Sequence, residues 1–498
     1  MSAPTADAAG AAALAADLDA AGFTVDCLDA LWGPVAGAAL HRESPLPAVR
    51  ALAARDEPAA TLARLWVLGR PVTRSALDAA LPVTGTAGAA AAGLVTPSGP
   101  QPDDPVHPLV DLRPYASDHA HWWLASDLGE RLHGGPLADD HVLGVGGASL
   151  TLARWTPRTP VTQALDVGTG CGVQAFHLSQ HAQHVVATDT SDRCLAFTAF
   201  NAALNGVVLD LRRGSLLAPV TDERFDLVVS NPPFVITPRL PGVPTYEYRD
   251  GGLAGDELVR RLVGGLAGVL AAGGVAQLLG NWEQHAGQGW AERVGGWLPA
   301  GLDAWVVQRE VQDPAEYAET WARDGGHRPG TPAHSALLDA WLADFAARGV
   351  EGVGFGVLTL RRPLRTGRPL RRFDELSAGS GPMGQVVVDV LEAHDWLAGH
   401  DLLEATLVVA DDVTEERHGR PGAEDPEVVL LRQGGGLHRA VRADTALAGL
   451  VGACDGALSV RRLVGALATL LDEPVDALSA RLLPAVRGLV ADGLLRPT

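Results

Sequence analysis

Asn231-Pro232-Pro233-Phe234 closes an apolar run, Phe225-Asp226-Leu227-Val228-Val229-Ser230, that reads as a buried β-strand. Two consecutive prolines remove two backbone donors and hold the turn extended. The Asn side-chain carbonyl and the peptide carbonyls after it then face one spot as acceptors, with an aromatic ring beside it as a stacking surface. Such a site suits a flat N–H donor, either the exocyclic amine of a base or a carboxamide. Composition sharpens the point. The 498 residues include four Asn, one Ile and no Lys, the profile of a very GC-rich genome, and one of those four Asn stands here.

Upstream, Ala164-Leu165-Asp166-Val167-Gly168-Thr169-Gly170-Cys171-Gly172 follows a short apolar strand and opens a helix over Val173–Gln180. Glycines at alternate positions let the backbone turn tightly and approach a ligand that a Cβ would block. The phosphate-cradling loop is usually Gly-x-Gly-x-x-Gly. Here the spacing is Asp-x-Gly-x-Gly-x-Gly, with the acid inside the strand. The next strand, His184–Asp189, ends in a second acid about twenty residues after the loop, the separation of a ribose-binding carboxylate. Ser191–Asn205 reads as a helix stopped by Gly206, and a third strand leads into Arg212-Arg213-Gly214-Ser215-Leu216.

The tetrapeptide resembles the [Asn/Asp]-Pro-Pro-aromatic motif of S-adenosylmethionine-dependent amino-methyltransferases, which act on adenine N6, cytosine N4, guanine N2 or glutamine N5. The glycine loop looks like motif I of class I methyltransferases, and the resemblance runs over residues 107–365 with the motifs in order. It implies a seven-stranded, doubly wound, Rossmann-like α/β core. It implies S-adenosylmethionine as cofactor, held by Asp166, Gly168, Thr169, Gly170, Gly172, Asp189, Thr190, Ser215 and Asn231, and no metal. Asp166 would help hold the methionyl ammonium. Many relatives carry Asp where Ser215 stands, so that contact keeps only a neutral acceptor here. Asn231, Pro232, Pro233 and Phe234 form the implied catalytic set.

The resemblance continues through Tyr246-Glu247-Tyr248-Arg249-Asp250-Gly251-Gly252 and a helix from about Asp256, as in glutamine-N5 and ribosomal guanine-N2 enzymes. Leu262–Trp282 contains no charge. Gly273-Gly274 is read as breaking it into a helix ending near Ala272 and a strand over Val275–Leu279, which argues against a membrane span. Strands at Ala304–Val311 and Gly352–Leu360 complete seven, with helices near Tyr317 and Leu337 between them. Residues 107–158, directly before the glycine loop, carry Tyr115, Trp122, Trp123, Asp127, Asp140 and His141, a candidate lid.

Three domains are expected: a helical one over 1–105, the methyltransferase domain over 106–370, and an α+β one over 371–498 with a winged-helix-like end. In the first, Ala60–Ala80 fits a helix-turn-helix or winged-helix unit. Loops are expected near Thr84–Pro105, Gly379–Pro382 and Arg417–Pro426, and a hairpin from Ala405–Val409 with Val428–Arg432. Four scattered cysteines support neither a disulfide framework nor a zinc site. The N-terminus lacks a signal-peptide pattern, so a cytoplasmic protein is expected. A net charge of −20 argues against a chain coated for nucleic-acid backbone. Locally, Arg361, Arg362, Arg365, Arg368, Arg371 and Arg372 form the one dense basic run. The expected acceptor is a macromolecule, with RNA narrowly ahead of a protein glutamine and a small metabolite third. Oligomeric state is open.

Overall fold

The computed structural model describes all residues except 1, 43, 118–119, 130–137, 240–242, 244–247, 328, 377–380 and 423–425. Tyr246-Glu247, much of the Gly379–Pro382 stretch and part of the Arg417–Pro426 loop therefore lie outside the described residues. The chain divides into two compact units, residues 1–153 with 159–364, and residues 154–158 with 365–498.

Seven strands of the first unit lie in one sheet: β1 (Val161–Val167), β2 (Ala182–Asp189), β3 (Asp210–Arg213), β4 (Phe225–Ser230), β5 (Leu270–His285), β6 (Asp303–Gln312) and β7 (Val350–Arg361). Their spatial order is β6-β7-β5-β4-β1-β2-β3. All neighbours are parallel except β7, which runs antiparallel to both β5 and β6. Central parallel strands are covered on both faces and so read as near-continuous apolar runs, as Leu227-Val228-Val229 does. Helices Val173–Ser179 and Asp192–Asn205 make the crossovers between β1, β2 and β3. The second is capped by Ser191 Oγ, which accepts from the Cys194 amide, and is ended by Gly206 in the left-handed conformation.

Gly273-Gly274 does not break a helix from a strand. The helix ends earlier, at Gly265, and β5 already begins at Leu270. Gly273 has φ +80° and donates to the Arg362 carbonyl at 2.7 Å, while a Cβ on Gly274 would sit 2.6 Å from the Phe225 carbonyl oxygen. The pair makes an irregularity inside the strand, where backbone passes close to backbone.

Residues 1–105 are not separate by packing from the unit that holds this sheet. Phe23, Leu65, Trp66, Leu77 and Val106 share one buried cluster with Trp122, Phe176, Phe197 and Phe200. Within that region, helices Arg74–Ala80 and Gly85–Ala91 and the strands Val72–Thr73, Pro105–Pro108 and Val95–Pro97, adjacent in that order, have winged-helix connectivity. The expected loop over Thr84–Pro105 thus contains a helix and a strand, because small residues such as Ala89 are buried against the cluster. Among the described residues no single helix is long and apolar enough to cross a membrane.

In the second unit, helices Thr445–Gly452, Val460–Leu471 and Val475–Ala491 pack with a sheet in which Thr406–Val409 lies between Asp455–Ser459 and Leu495–Pro497. Val428–Gln433 instead pairs with Val413–His418 and Ala440–Ala443. The expected hairpin of Ala405–Val409 with Val428–Arg432 does not form. Leu407 is buried with the helices, and the intervening strand Val413–His418 takes the other partner.

Candidate active site

The register of the parallel strands brings the sequence motifs to one edge of the sheet. Val167 of β1 lies opposite Thr188 of β2 and Ser230 of β4, so Gly168, Asp189 and Asn231 leave the sheet side by side. The Ser230 hydroxyl donates to the Val167 carbonyl at 2.7 Å and locks the two exits together. Asp189 lies opposite Arg213, and the Gly214 amide donates to the Asp189 carbonyl at 2.9 Å, which brings the Ser215 turn to the same edge. The strand order reverses between β1 and β4, and the crevice beyond such a switch point is where open α/β sheets bind ligands.

On the β1 side the loop is built by backbone. Gly168, Gly170 and Gly172 have φ of 75°, 57° and 93°, which side chains rarely tolerate. The Gly168 and Thr169 amides donate to the Thr188 carbonyl at 2.8 and 3.0 Å. Asp189 accepts from the Gly170 amide at 3.0 Å through one oxygen and from the Ser191 amide at 2.9 Å through the other. Asp166 is buried, and its Oδ2 accepts from the Thr169 hydroxyl at 2.7 Å and the Ala175 amide at 3.1 Å. Its Oδ1 has no partner among the described residues. Burial pushes the Asp166 carboxyl up to about 7, and the charge of Asp189 adds to the rise. Burial also raises Asp189, against the pull of the amides that hold it. A buried acid with one open oxygen is matched by a cationic ammonium, and the glycines leave backbone accessible beside it. These residues fit the amino-acid end and ribose of S-adenosylmethionine. Thr190 and Ser215 are exposed, and the Thr190 carbonyl accepts from Arg213 Nε at 3.3 Å.

On the β4 side the loop is held by side chains. Pro232 is buried, and Asn231, Pro233 and Phe234 are partly exposed. Asn231 Oδ1 itself is buried and has no partner among the described residues. Phe234 bridges to Asp250, and the Val235 amide donates to the Arg249 carbonyl at 2.8 Å. Arg239 pairs with Asp250. The Ile236 amide donates to the Tyr317 hydroxyl at 2.9 Å, whose phenol is pushed well above its ordinary range by burial and stays neutral.

The lid candidates also converge. Asp127 pairs with Arg193, Asp140 lies 3.6 Å from the same guanidinium, and His141 Nδ1 is 3.7 Å from Asp127. The His141 ring stands edge-on to Tyr248, 5.8 Å between centroids. Sequence reasoning missed Arg193, Asn201, Asn205, Tyr317 and Asn281. Scarcity was an available signal, since Asn201, Asn205 and Asn281 are the other three asparagines of the chain. The arginine run separates instead of forming one surface. Arg361 is buried against Asp303 at 2.7 Å, Arg372 pairs with Asp374 at 2.6 Å and Asp492 at 2.5 Å, and Arg365 and Arg368 are exposed.

Residues 145–239 match the family described as "Methyltransferase small domain". The stretch that carries the glycine loop and Asn-Pro-Pro-Phe is thus similar to a methyltransferase domain, set in a sheet of Rossmann-like order. Residues 20–105 and 389–497 match two domains of unknown function, DUF7059 and DUF7782. The release factor glutamine methyltransferase of Geobacter sulfurreducens is 39% identical over 119 residues, covering 22% of this chain and 42% of that protein. The ribosomal protein uL3 glutamine methyltransferase of Bradyrhizobium diazoefficiens is 34% identical over 140 residues, covering 26% and 43%. The chain thus spans less than half the length of these two curated relatives. Among solved structures, a ribosomal protein L11 methylase from Lactobacillus delbrueckii is 29% identical, covering 27% of this chain and 57% of that one, with a TM-score of 0.21.

Proposed function

We propose that the chain transfers a methyl group from S-adenosylmethionine to the side-chain amide nitrogen of a glutamine in a protein. The observation that carries this reading is Asn231 Oδ1, a buried acceptor without a partner among the described residues, at the exit of β4 beside the glycine loop. A primary amide offers two N–H groups in a plane. Asn231 Oδ1 and the Pro232 carbonyl would accept them, biasing the nitrogen toward sp³ and turning its lone pair out of the amide π-system. Phe234 would lie against the amide plane. Bound by Asp166, the glycine loop and Asp189, S-adenosylmethionine supplies an electrophilic methyl group. Once the nitrogen carries its new carbon, its proton is acidic and leaves to solvent, so His141 is not needed as a base. The residues of this chain act by orientation, which alone accounts for a large share of such a barrier.

Protein glutamine is favoured over RNA for two reasons. The curated relatives reported above are named for protein glutamines. The net charge is −20, and Arg361 and Arg372, which the RNA reading enlisted, are held in ion pairs. The test is incubation with tritiated S-adenosylmethionine and fractionated bacterial lysate. Label should enter protein, resist ribonuclease and be released as volatile methylamine by acid hydrolysis. Label in RNA would replace the acceptor, and label in neither would remove the activity.

A further inference from the structure

Between β6 and β7 the chain inserts a helix, Pro314–Asp324, and one face of it engages the β4 loop from both sides. Tyr317, Trp321 and Asp324 recur at the spacing of a single helical face. The Tyr317 hydroxyl accepts from the Ile236 amide and from Asn281 Nδ2, each at 2.9 Å. One turn on, the Trp321 carbonyl accepts from Arg249 Nη1 at 2.9 Å, and Asp324 accepts from the same nitrogen at 2.7 Å and from the Tyr248 hydroxyl at 3.1 Å. Ile236 and Arg249 belong to two passes of chain already cross-linked by the Val235–Arg249 bond and the Phe234–Asp250 bridge.

Packing does not call for the Tyr317 oxygen. Its ring is buried among Val235, Ile236, Trp341 and Phe345, where a phenylalanine ring would fill the same space. The oxygen is called for by two buried donors, one on the backbone five residues after Asn231 and one on β5. Asn281 lies three residues past Leu278, the partner of Ser230. The hydroxyl therefore joins the strand beside β4 to the loop that leaves β4. A loop without glycine between Asn231 and Arg239 has no local turn to set its height, and the register must come from such a distant tie.

We propose that Tyr317 is the positioning residue of the acceptor half: through Ile236 and Asn281 it sets where Asn231 and Phe234 stand relative to the cofactor loop. This rests on the transferase reading of the same site. The test compares full-length Tyr317→Phe with Phe345→Leu, an apolar neighbour that makes no bond to the loop. Calorimetry with S-adenosylmethionine, amide exchange over residues 231–239, melting temperature and tritium transfer into the lysate protein fraction are measured for each.

Tyr317→Phe should speed exchange at 234–239 and lower kcat about tenfold, with S-adenosylmethionine affinity and its KM unchanged within about twofold. Phe345→Leu should lower the melting temperature at least as much and leave kcat within about twofold. Equal kcat losses at equal loss of melting temperature would overturn the proposal, as would unaltered exchange at 234–239. If the wild-type chain labels nothing, the transferase reading fails, while the exchange comparison still decides whether Tyr317 holds the loop.

Discussion

The two loops that flank the β1–β4 switch point are made by opposite means. The glycine loop is contiguous: three glycines with positive φ, and acids held by amides no more than 19 residues away. The Asn-Pro-Pro-Phe loop has prolines in place of glycines and is held by Tyr317, 81 residues from Ile236, and by Asp324, 75 residues from Arg249. Both loops also keep one buried acceptor without a partner among the described residues, Asp166 Oδ1 at the glycine loop and Asn231 Oδ1 at the Asn-Pro-Pro-Phe loop. An unpaired buried acceptor costs about 1–3 kcal/mol. Under the proposed function that cost is offset when the ligands arrive, an ammonium at Asp166 and an N–H donor at Asn231.

The sharpest way to break this contrast is Asn231→Ala. It should lower kcat by at least about a hundredfold, change S-adenosylmethionine affinity little and leave the melting temperature no lower; near-normal tritium transfer would end the acceptor assignment. Next in size is Asp189→Ala, which should weaken S-adenosylmethionine by about 1–3 kcal/mol in calorimetry. If nicotinamide dinucleotide bound to the wild-type chain instead, the glycine loop would have been misread.

Asp166 gives a smaller, pH-dependent effect. Its folded value of about 7 lies above the unfolded 3.8, so folding favours the protonated form. That contribution is full below 3.8 and is lost as pH rises through about 7. The ligand-free protein should lose melting temperature between pH 5 and pH 8 by more than Asp166→Asn does. A cationic ligand wants the ionised acid, so S-adenosylmethionine should tighten about tenfold from pH 6 to pH 8 in the wild type and not in Asp166→Asn. The smallest effect is expected from Arg365→Ala with Arg368→Ala. Stability should stay within about 0.5 kcal/mol, and label transfer should not depend on salt through them.

The same contrast governs what the sequence could reveal. The glycine loop, Asp189 and Asn-Pro-Pro-Phe are legible because each is a short run whose local geometry its own residues dictate. Tyr317 and Asn281 are not, since a lone Tyr in an amphipathic helix looks like core until the fold brings Ile236 to it. Burial was equally hidden in the arginine run, where Arg361 and Arg368 read alike but only Arg361 meets Asp303. Gly273-Gly274 misled in the other direction. Gly-Gly usually punctuates, and here it lies within β5, where Gly273 takes a positive φ and the Phe225 carbonyl passes too close to Gly274 for a side chain.

One feature of the segment before the glycine loop reaches beyond its own fold. The strand His121–Ser126 is half of a two-stranded hairpin, and its outer edge would otherwise expose a row of amides and carbonyls. Asn205 accepts from the Trp123 amide at 2.8 Å and donates to its carbonyl at 2.7 Å. One helical turn away, Asn201 does the same for Ala125 at 2.8 and 3.0 Å. Two side-chain amides thus copy the bonding of a neighbouring strand, and no further strand can add along that stretch. Open edges are where chains associate with one another in error. The helix that follows Asp189 therefore doubles as a guard against aggregation, using two of the four asparagines the chain possesses.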